Sequence, residues 1–283
     1  MSLPFTWEPM HVRLERVNGT DLDVVNAARR SFGTKSTWAD FGNRILRDAD
    51  INLLEFLGRG FSSKDFNELL GDIAKAGNEF HKLSFLDLIE ESEYLKTRET
   101  LINAMWRWRD EAIHDTPFNH VGAHFSIMIP IFVARQLVKT EYMPWSEISR
   151  RYKEGEISYW KPGLDDGLHW RAAPETKKQG SGNNLSEQLQ HDMNMLVITN
   201  TTDSHYRFLY MLEYGGVCME QARMLLPANL MVEVTWSGFL GAICKMLRER
   251  TGSHAQKETQ WVAKQMLSLL KLQFPYSIQA LIR

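Results

Sequence analysis

Cysteine is scarce in this sequence. Only Cys218 and Cys244 occur, and neither stands in a CxxC or Cys/His spacing, which argues against a disulfide framework and against a metal site of that type. Two reduced thiols of a cytoplasmic protein is the reading they support, and Cys244 falls in an apolar helical stretch that does not suit a nucleophile. A dominant charge is lacking too. The net charge of −2 removes any whole-protein electrostatic case for duplex nucleic acid, while local basic clusters can still hold a small anion. Long apolar runs are missing: the longest, around Phe125–Ala134, is too short for a bilayer and contains Pro130. Pro4 and Glu8 interrupt any leader-like run at Met1–Met10. No GxGxxG follows a strand, and GxxxxGKS/T and GxSxG are absent, so Rossmann, P-loop and serine-hydrolase chemistries lack their fingerprints. There are no repeats, heptads or low-complexity tracts. What remains is an ordinary globular composition, 43% hydrophobic and 24% charged over 283 residues, enough to bury a large core.

Hydrophobic spacing outlines the elements. Thr20–Phe32 reads as a helix capped by Thr20 or Asp21 and ended by Gly33. Residues 35–113 read as mostly helical, with Trp106 and Trp108 as packing residues. A polar turn around Pro117 precedes strict alternation over Val121–Ile129, a strand, and Pro130–Lys139 suits a helix with Pro in its first turn. Lys153–Gly182 is a long polar segment of the kind that carries function. Leu185–Leu226 reads as helix ended by Pro227, Met231–Trp236 as a second strand and Gly238–Glu249 as a helix. Ser253 to Gln256 reads as a capping box opening a last helix that ends near Phe274.

Four clusters have chemical potential. Ser149, Arg150 and Arg151 offer a hydroxyl and two guanidinium forks that match phosphate geometry, although an Arg pair alone is more often a solvated surface than a ligand site. Arg223 lies in an apolar surround near a helix end, where a salt bridge to Glu220 and a ligand contact are both open. Arg250 and His254 flank a helix entrance, where free amides attract anions, or where a simple capping loop suffices. His114 and His120 stand six residues apart, which is not a metal-ligand step on one helix; satisfied turn histidines or hydrogen bonds to a ligand fit better.

Taken together, these segments resemble the flavin-dependent thymidylate synthases (ThyX). Residues 27–33 resemble an AARxSFG segment, 114–120 an HxxPFEH turn, and 130–136 a PIFVARQ helix. Residues 147–152 resemble the end of the RHRxxSxNExSxRY signature, 178–181 a KQGS loop, 220–227 an ExARxxLP helix end, and 250–256 an RxxSHAQ element. Seven such matches in order make the resemblance specific. It implies an α/β (α+β) chain with a curved central sheet and long helices, assembled as a homotetramer with active sites between subunits. The whole of 1–283 would be one domain, with a mostly helical insertion at about 35–111. The implied activity moves a methylene group from methylenetetrahydrofolate to C5 of dUMP, using FAD reduced by NADPH. The nucleotide contacts would be Gln136, Glu147, Ser149, Arg150, Arg151, Arg223 and Arg250, with Arg250 at the pyrimidine and, with Ser149, carrying the catalytic role.

The cofactor half departs from the family pattern. It would comprise Ser31, His114, Thr116, Asn119, Lys139, Thr140, Glu141, Lys245 and His254. The signature's RHR is replaced by Lys139, Thr140 and Glu141, the Glu of HxxPFEH by Asn119, and residues 237–245 are mostly apolar. Losing arginines and gaining carboxylates weakens the case for a pyrophosphate-bearing cofactor, at roughly 1.5–3 kcal/mol per charge-assisted contact. Two alternatives therefore stand beside the synthase: a flavin-independent, folate-dependent hydroxymethylase of dUMP or dCMP, and a non-catalytic nucleotide-binding homologue.

Overall fold

The computed structural model describes residues 3–59, 114–148, 157–165, 167–174 and 180–282. Period-two patterning makes its strands and period-3.6 patterning its helices. The strands are β1 (Thr6–Trp7), β2 (His11–Asn18), β3 (Gly122–Pro130), β4 (Trp145–Glu147), β5 (Ser158–Tyr159) and β6 (Met231–Phe239). The described helices are α1 (Asp21–Arg29), α2 (Asp48–Arg59), α3 (Ile131–Leu137), α4 (Glu187–Glu213), α5 (Met219–Ala222), α6 (Leu240–Thr251), α7 (Lys257–Gln273) and α8 (Pro275–Leu281). They divide into two compact units: residues 1–17, 123–238 and 245–269 form the first, and 18–122, 239–244 and 270–283 the second.

The first unit is built on a four-stranded sheet of order β2-β3-β6-β4. Along β3, Ala123, Phe125, Ile127 and Ile129 are buried while His124 is exposed; along β6, Val234 and Trp236 are buried while Glu233 and Thr235 are exposed. β4 pairs antiparallel with β6, setting Trp145 opposite Trp236 and Glu147 opposite Val234. A smaller parallel pair, β1 with β5, anchors a cluster of Phe5, Ile157, Tyr159, Phe208 and Leu230. Inside it the Tyr159 hydroxyl meets His205 Nδ1 at 2.9 Å. Burial pulls the His205 imidazole below its ordinary 6.5. A depressed pKa means that the stability tied to neutral His205 is full above the unfolded value and is lost as pH falls through the folded one. The urea midpoint should therefore fall as pH is lowered through and below the ordinary imidazole range, and His205→Gln should flatten that fall; an unchanged slope would assign it to other groups.

The second unit shows how a buried carboxylate fixes a helix. Thr20 and Asp23 form the capping box of α1, whose first residue, Asp21, accepts hydrogen bonds from the backbone N–H groups of Tyr276 (3.1 Å) and Ser277 (2.9 Å) at the start of α8. Burial pushes the Asp21 carboxyl up, against the lowering effect of those bonds. α8 in turn packs on α2 so closely that a Cβ on Gly58 would stand 2.8 Å from the carbonyl oxygen of Ala280. Gly58→Ala should cost roughly 1–3 kcal/mol by forcing that contact apart, read as a lower denaturant midpoint; a neutral result would show that the two helices part freely.

Several expectations change. The stretch read as one helix over 185–226 is broken by Gly215 and Gly216, the latter at φ +60°, so α4 ends at Glu213 and α5 is separate. Ser253 does not open α7, which begins at Lys257 with the Gln260 side chain donating to the Ala255 carbonyl. Pro275 does not end the helical region; it opens α8 at a position where its missing N–H is no loss. Residues 35–47 carry a turn with an Asp40–Ile45 bridge rather than helix. β1, β2, β4 and β5 were not foreseen. Trp106, Trp108 and the rest of the supposed helical segment over 60–113 lie outside the described residues.

Candidate active site

α3 is short, but both of its ends are fixed. Its first N–H groups donate to the carbonyls of Leu230 (2.9 Å, from Ile131) and Ala228 (3.1 Å, from Phe132), which ties it to the turn before β6. Val133, Ala134 and Leu137 are buried, so the consecutive residues Arg135 and Gln136 are turned outward about 100° apart. They enter different cavities. Arg135 lines a cleft of about 800 Å³ with Glu147 and Arg223, over an apolar floor of Ile131, Leu230 and Val232. Gln136 lines a second cavity of about 570 Å³ with Arg250, His254 and Glu249.

Arg223 is exposed, and its Nε donates to the Glu220 backbone carbonyl at 3.3 Å. No carboxylate pairs with its guanidinium among the described residues, so the suggested salt bridge to the Glu220 side chain is not formed. Arg250 is half-buried, and its Nε is enclosed with no hydrogen-bond partner among the described residues. An enclosed guanidinium N–H without an acceptor is costly unless a ligand supplies one. Arg223 and Arg250 thus line separate cavities of a single chain. Ser149, Arg150 and Arg151, with Lys178 and Gln179, lie outside the described residues.

The residues expected to hold a cofactor fall into both units. In the second unit, Ser31 is exposed on a 3-10 turn, and the His114 ring stacks on Phe56 at 6.2 Å. The backbone N–H of His114 donates to the Leu57 carbonyl at 2.9 Å, and Thr116 is exposed. Asn119 lies directly against α6: a Cβ on Gly241 would meet its Oδ1 at 2.5 Å. In the first unit, the Thr140 hydroxyl donates to the Leu137 carbonyl at 2.8 Å, finishing α3. Lys139, Glu141, Lys245 and His254 are exposed. Among the described residues no group of His, Cys, Asp or Glu is placed to hold a metal ion, and no helix is long and apolar enough to cross a membrane.

Arg135 is the site residue that the sequence reading missed. The signal was available: once α3 is drawn as a helix with Val133, Ala134 and Leu137 inward, residue 135 must face out beside 136.

The family model described as "Thymidylate synthase complementing protein" matches residues 14–276. The chain belongs to that family. Its similarity to curated flavin-dependent thymidylate synthases includes 29% identity over 170 residues with that of Thermotoga neapolitana, covering 60% of this chain and 71% of the relative. With that of Pseudothermotoga lettingae it is 26% identity over 239 residues, covering 84% and 92%. The fold is also that of the UMP/dUMP methylase PolB from Streptomyces cacaoi, solved with 5-Br UMP bound: TM-score 0.67 at 19% identity, over 98% of this chain and 96% of that one. In this member, Lys139, Thr140 and Glu141 follow the α3 helix that carries Gln136.

Proposed function

We propose that this chain is a one-carbon transferase that delivers a methylene group from methylenetetrahydrofolate to C5 of a pyrimidine deoxynucleoside monophosphate, dUMP. The carrying observation is the cavity that Gln136 and Arg250 line together, beside an Arg250 Nε that is enclosed and has no hydrogen-bond partner among the described residues. A pyrimidine carbonyl is the right acceptor. As C5 becomes nucleophilic, negative charge builds on that oxygen, and a fixed guanidinium stabilises the charged state more than the neutral ring. Family membership and the names of the relatives support the same reaction class.

Arg223, Arg135 and Glu147 form the second half of the proposed nucleotide site, with the two guanidiniums suited to a phosphate. Ser149, Arg150 and Arg151 are proposed to add to it, Ser149 with a catalytic role. Two half-sites on separate cavities of one chain are joined most simply by a second subunit. α4 supports self-association, since its Leu189, Leu196, Tyr206 and Tyr210, and Tyr214 just past its end, are all exposed; we take the assembly to be a homotetramer of single-domain chains. Arg223→Ala should weaken dUMP binding about tenfold or more, measured by calorimetry; unchanged affinity would remove Arg223 from the site.

FAD and NADPH enter by family. The local chemistry around Thr140 does not make a pyrophosphate cradle: its hydroxyl is engaged by the Leu137 carbonyl, and Glu141 presents a carboxylate beside it. Ser31, His114, Thr116, Asn119, Lys139, Lys245 and His254 are the remaining groups proposed to hold the cofactor. The deciding experiment incubates the purified chain with dUMP, methylenetetrahydrofolate, FAD and NADPH and reads the product by mass spectrometry. The expected product is dUMP heavier by one CH₂ unit. A product heavier by a CH₂O unit, formed without reductant, would replace methylation by hydroxymethylation. No product from dUMP, dCMP or UMP would sink the catalytic reading.

A further inference from the structure

Ser181 closes the KQGS-like segment 178–181, and the reaction above gives it no part. It follows directly on Gly180, and both line the cavity of about 570 Å³ that Gln136 and Arg250 also line. The chain on either side of this segment is paired. The Ala172 N–H donates to the Asn183 carbonyl and the Gly182 N–H to the Ala172 carbonyl, each at 2.9 Å, with Arg171 bridged to Asn184. Gln190 of α4 clamps the same stem: its side chain accepts from the Trp170 N–H at 2.8 Å and donates to the Trp170 carbonyl at 2.7 Å.

A side chain of this stem fixes the Ser181 hydroxyl. Arg171 Nε donates to Ser181 Oγ at 2.9 Å and its Nη1 to the His169 carbonyl at 3.0 Å. Its Nη2 donates at 2.7 Å to Oε1 of the buried Glu258, in the first turn of α7. All three nitrogens of the fork are engaged, so the guanidinium cannot turn without breaking a buried ion pair. Glu258 also offsets its charge, which leaves Arg171 a holder of the stem rather than a ligand for an anion. A hydroxyl has one proton and two lone pairs. With one lone pair taken by the Nε–H, the Ser181 O–H must point away from Arg171, and it finds no acceptor among the described residues.

We infer that Ser181 is a further substrate-binding residue, donating its O–H to a ring carbonyl oxygen of the pyrimidine nucleotide, and that Arg171 is the positioning residue that aims it. This rests on the nucleotide reading of the Gln136 and Arg250 cavity. The ring is the partner rather than the phosphate, because the guanidiniums suited to a phosphate, Arg135 and Arg223, line the other cleft. A uracil ring has two carbonyl oxygens with two lone pairs each, more acceptor capacity than Arg250 alone fills. Arg171 and Ser181 also border a neighbouring cavity of about 460 Å³, but Gly180 lines only the one with Arg250, which sets the segment along that wall.

The test is calorimetric titration of the full chain with dUMP, 2-thio-dUMP and 4-thio-dUMP, since thiocarbonyl sulfur is a weak acceptor. Ser181→Ala should weaken dUMP binding about three- to tenfold at an unchanged melting temperature, and Ser181→Thr, which keeps the hydroxyl, should restore most of it. The analogue whose sulfur replaces the bonded oxygen should bind wild type less well than dUMP, and Ser181→Ala should bind the two more nearly alike. Arg171→Lys keeps a charge beside Glu258 but not the planar fork, so it should fold and still lose that preference, and adding Ser181→Ala to it should cost nothing further. Additive losses would make Arg171 merely structural and overturn its role. Full dUMP affinity in Ser181→Ala, or an undiminished preference for dUMP over both analogues, would sink this inference alone. No saturable binding of dUMP by wild type would sink the nucleotide site and the inference with it.

Discussion

Arg250→Ala lowers kcat/KM for dUMP by about 10²- to 10³-fold. The expectation follows from the place of Arg250 in the cavity it lines with Gln136, held on the last turns of α6 with an Nε that has no acceptor among the described residues. If Arg250 acts on charge developing at the pyrimidine carbonyl, kcat falls with kcat/KM while the dUMP dissociation constant changes much less. If it only tethers the ground-state nucleotide, the dissociation constant carries the whole loss. Arg250→Lys is the informative partner, since an ammonium keeps the charge but not the planar fork, and it should recover only part of the activity. Equal activity of wild type and Arg250→Ala, in a protein that unfolds at the same temperature, would remove this residue from the mechanism.

Arg29→Ala destabilises the fold by about 3–5 kcal/mol. Asp50 is 0% exposed, and Arg29 meets its Oδ1 through Nε at 2.9 Å and Nη2 at 2.5 Å, with the Ser36 hydroxyl donating to the same oxygen at 2.7 Å. Its Oδ2 already lacks a partner among the described residues. Removing the guanidinium strands a carboxylate in the interior of the second unit, held by one hydroxyl. The melting temperature should drop on the order of 10 °C. The loss comes from the stranded charge rather than from any net strength of the pair, so Arg29→Met combined with Asp50→Leu should recover most of it. A double variant no better than Arg29→Ala would show that the contact is needed for shape instead.

These predictions rest on features that were unequally visible in the chain. The capping box at Thr20, the alternation of β3 and the apolar face of α3 are local: each is set by residues within a turn or two, where one periodicity dominates. β2, with Val12, Leu14 and Val17 spaced among charges, carries too little alternation to be read, and becomes a strand because β3 offers it a partner. α8 was hidden behind Pro275 because a proline ends one helix and opens another with equal ease; what selects the second outcome is the Asp21 carboxylate, more than 250 residues earlier.

The site divides in the same way. Residue types and their order were enough to point to the family, and that resemblance singled out Gln136, Arg223 and Arg250 as candidate nucleotide contacts. Which of them share a cavity was beyond linear spacing. Arg135 and Gln136 are neighbours in the chain yet face different cavities, since a helix turns about 100° per residue. Gln136 and Arg250, more than a hundred residues apart, line one cavity, and Glu258 is left with an oxygen that nothing near it in sequence foretells. Composition and order name the chemistry; the packing of helices and strands fixes which groups meet, because burial and direction are properties of the folded surroundings and not of the residue.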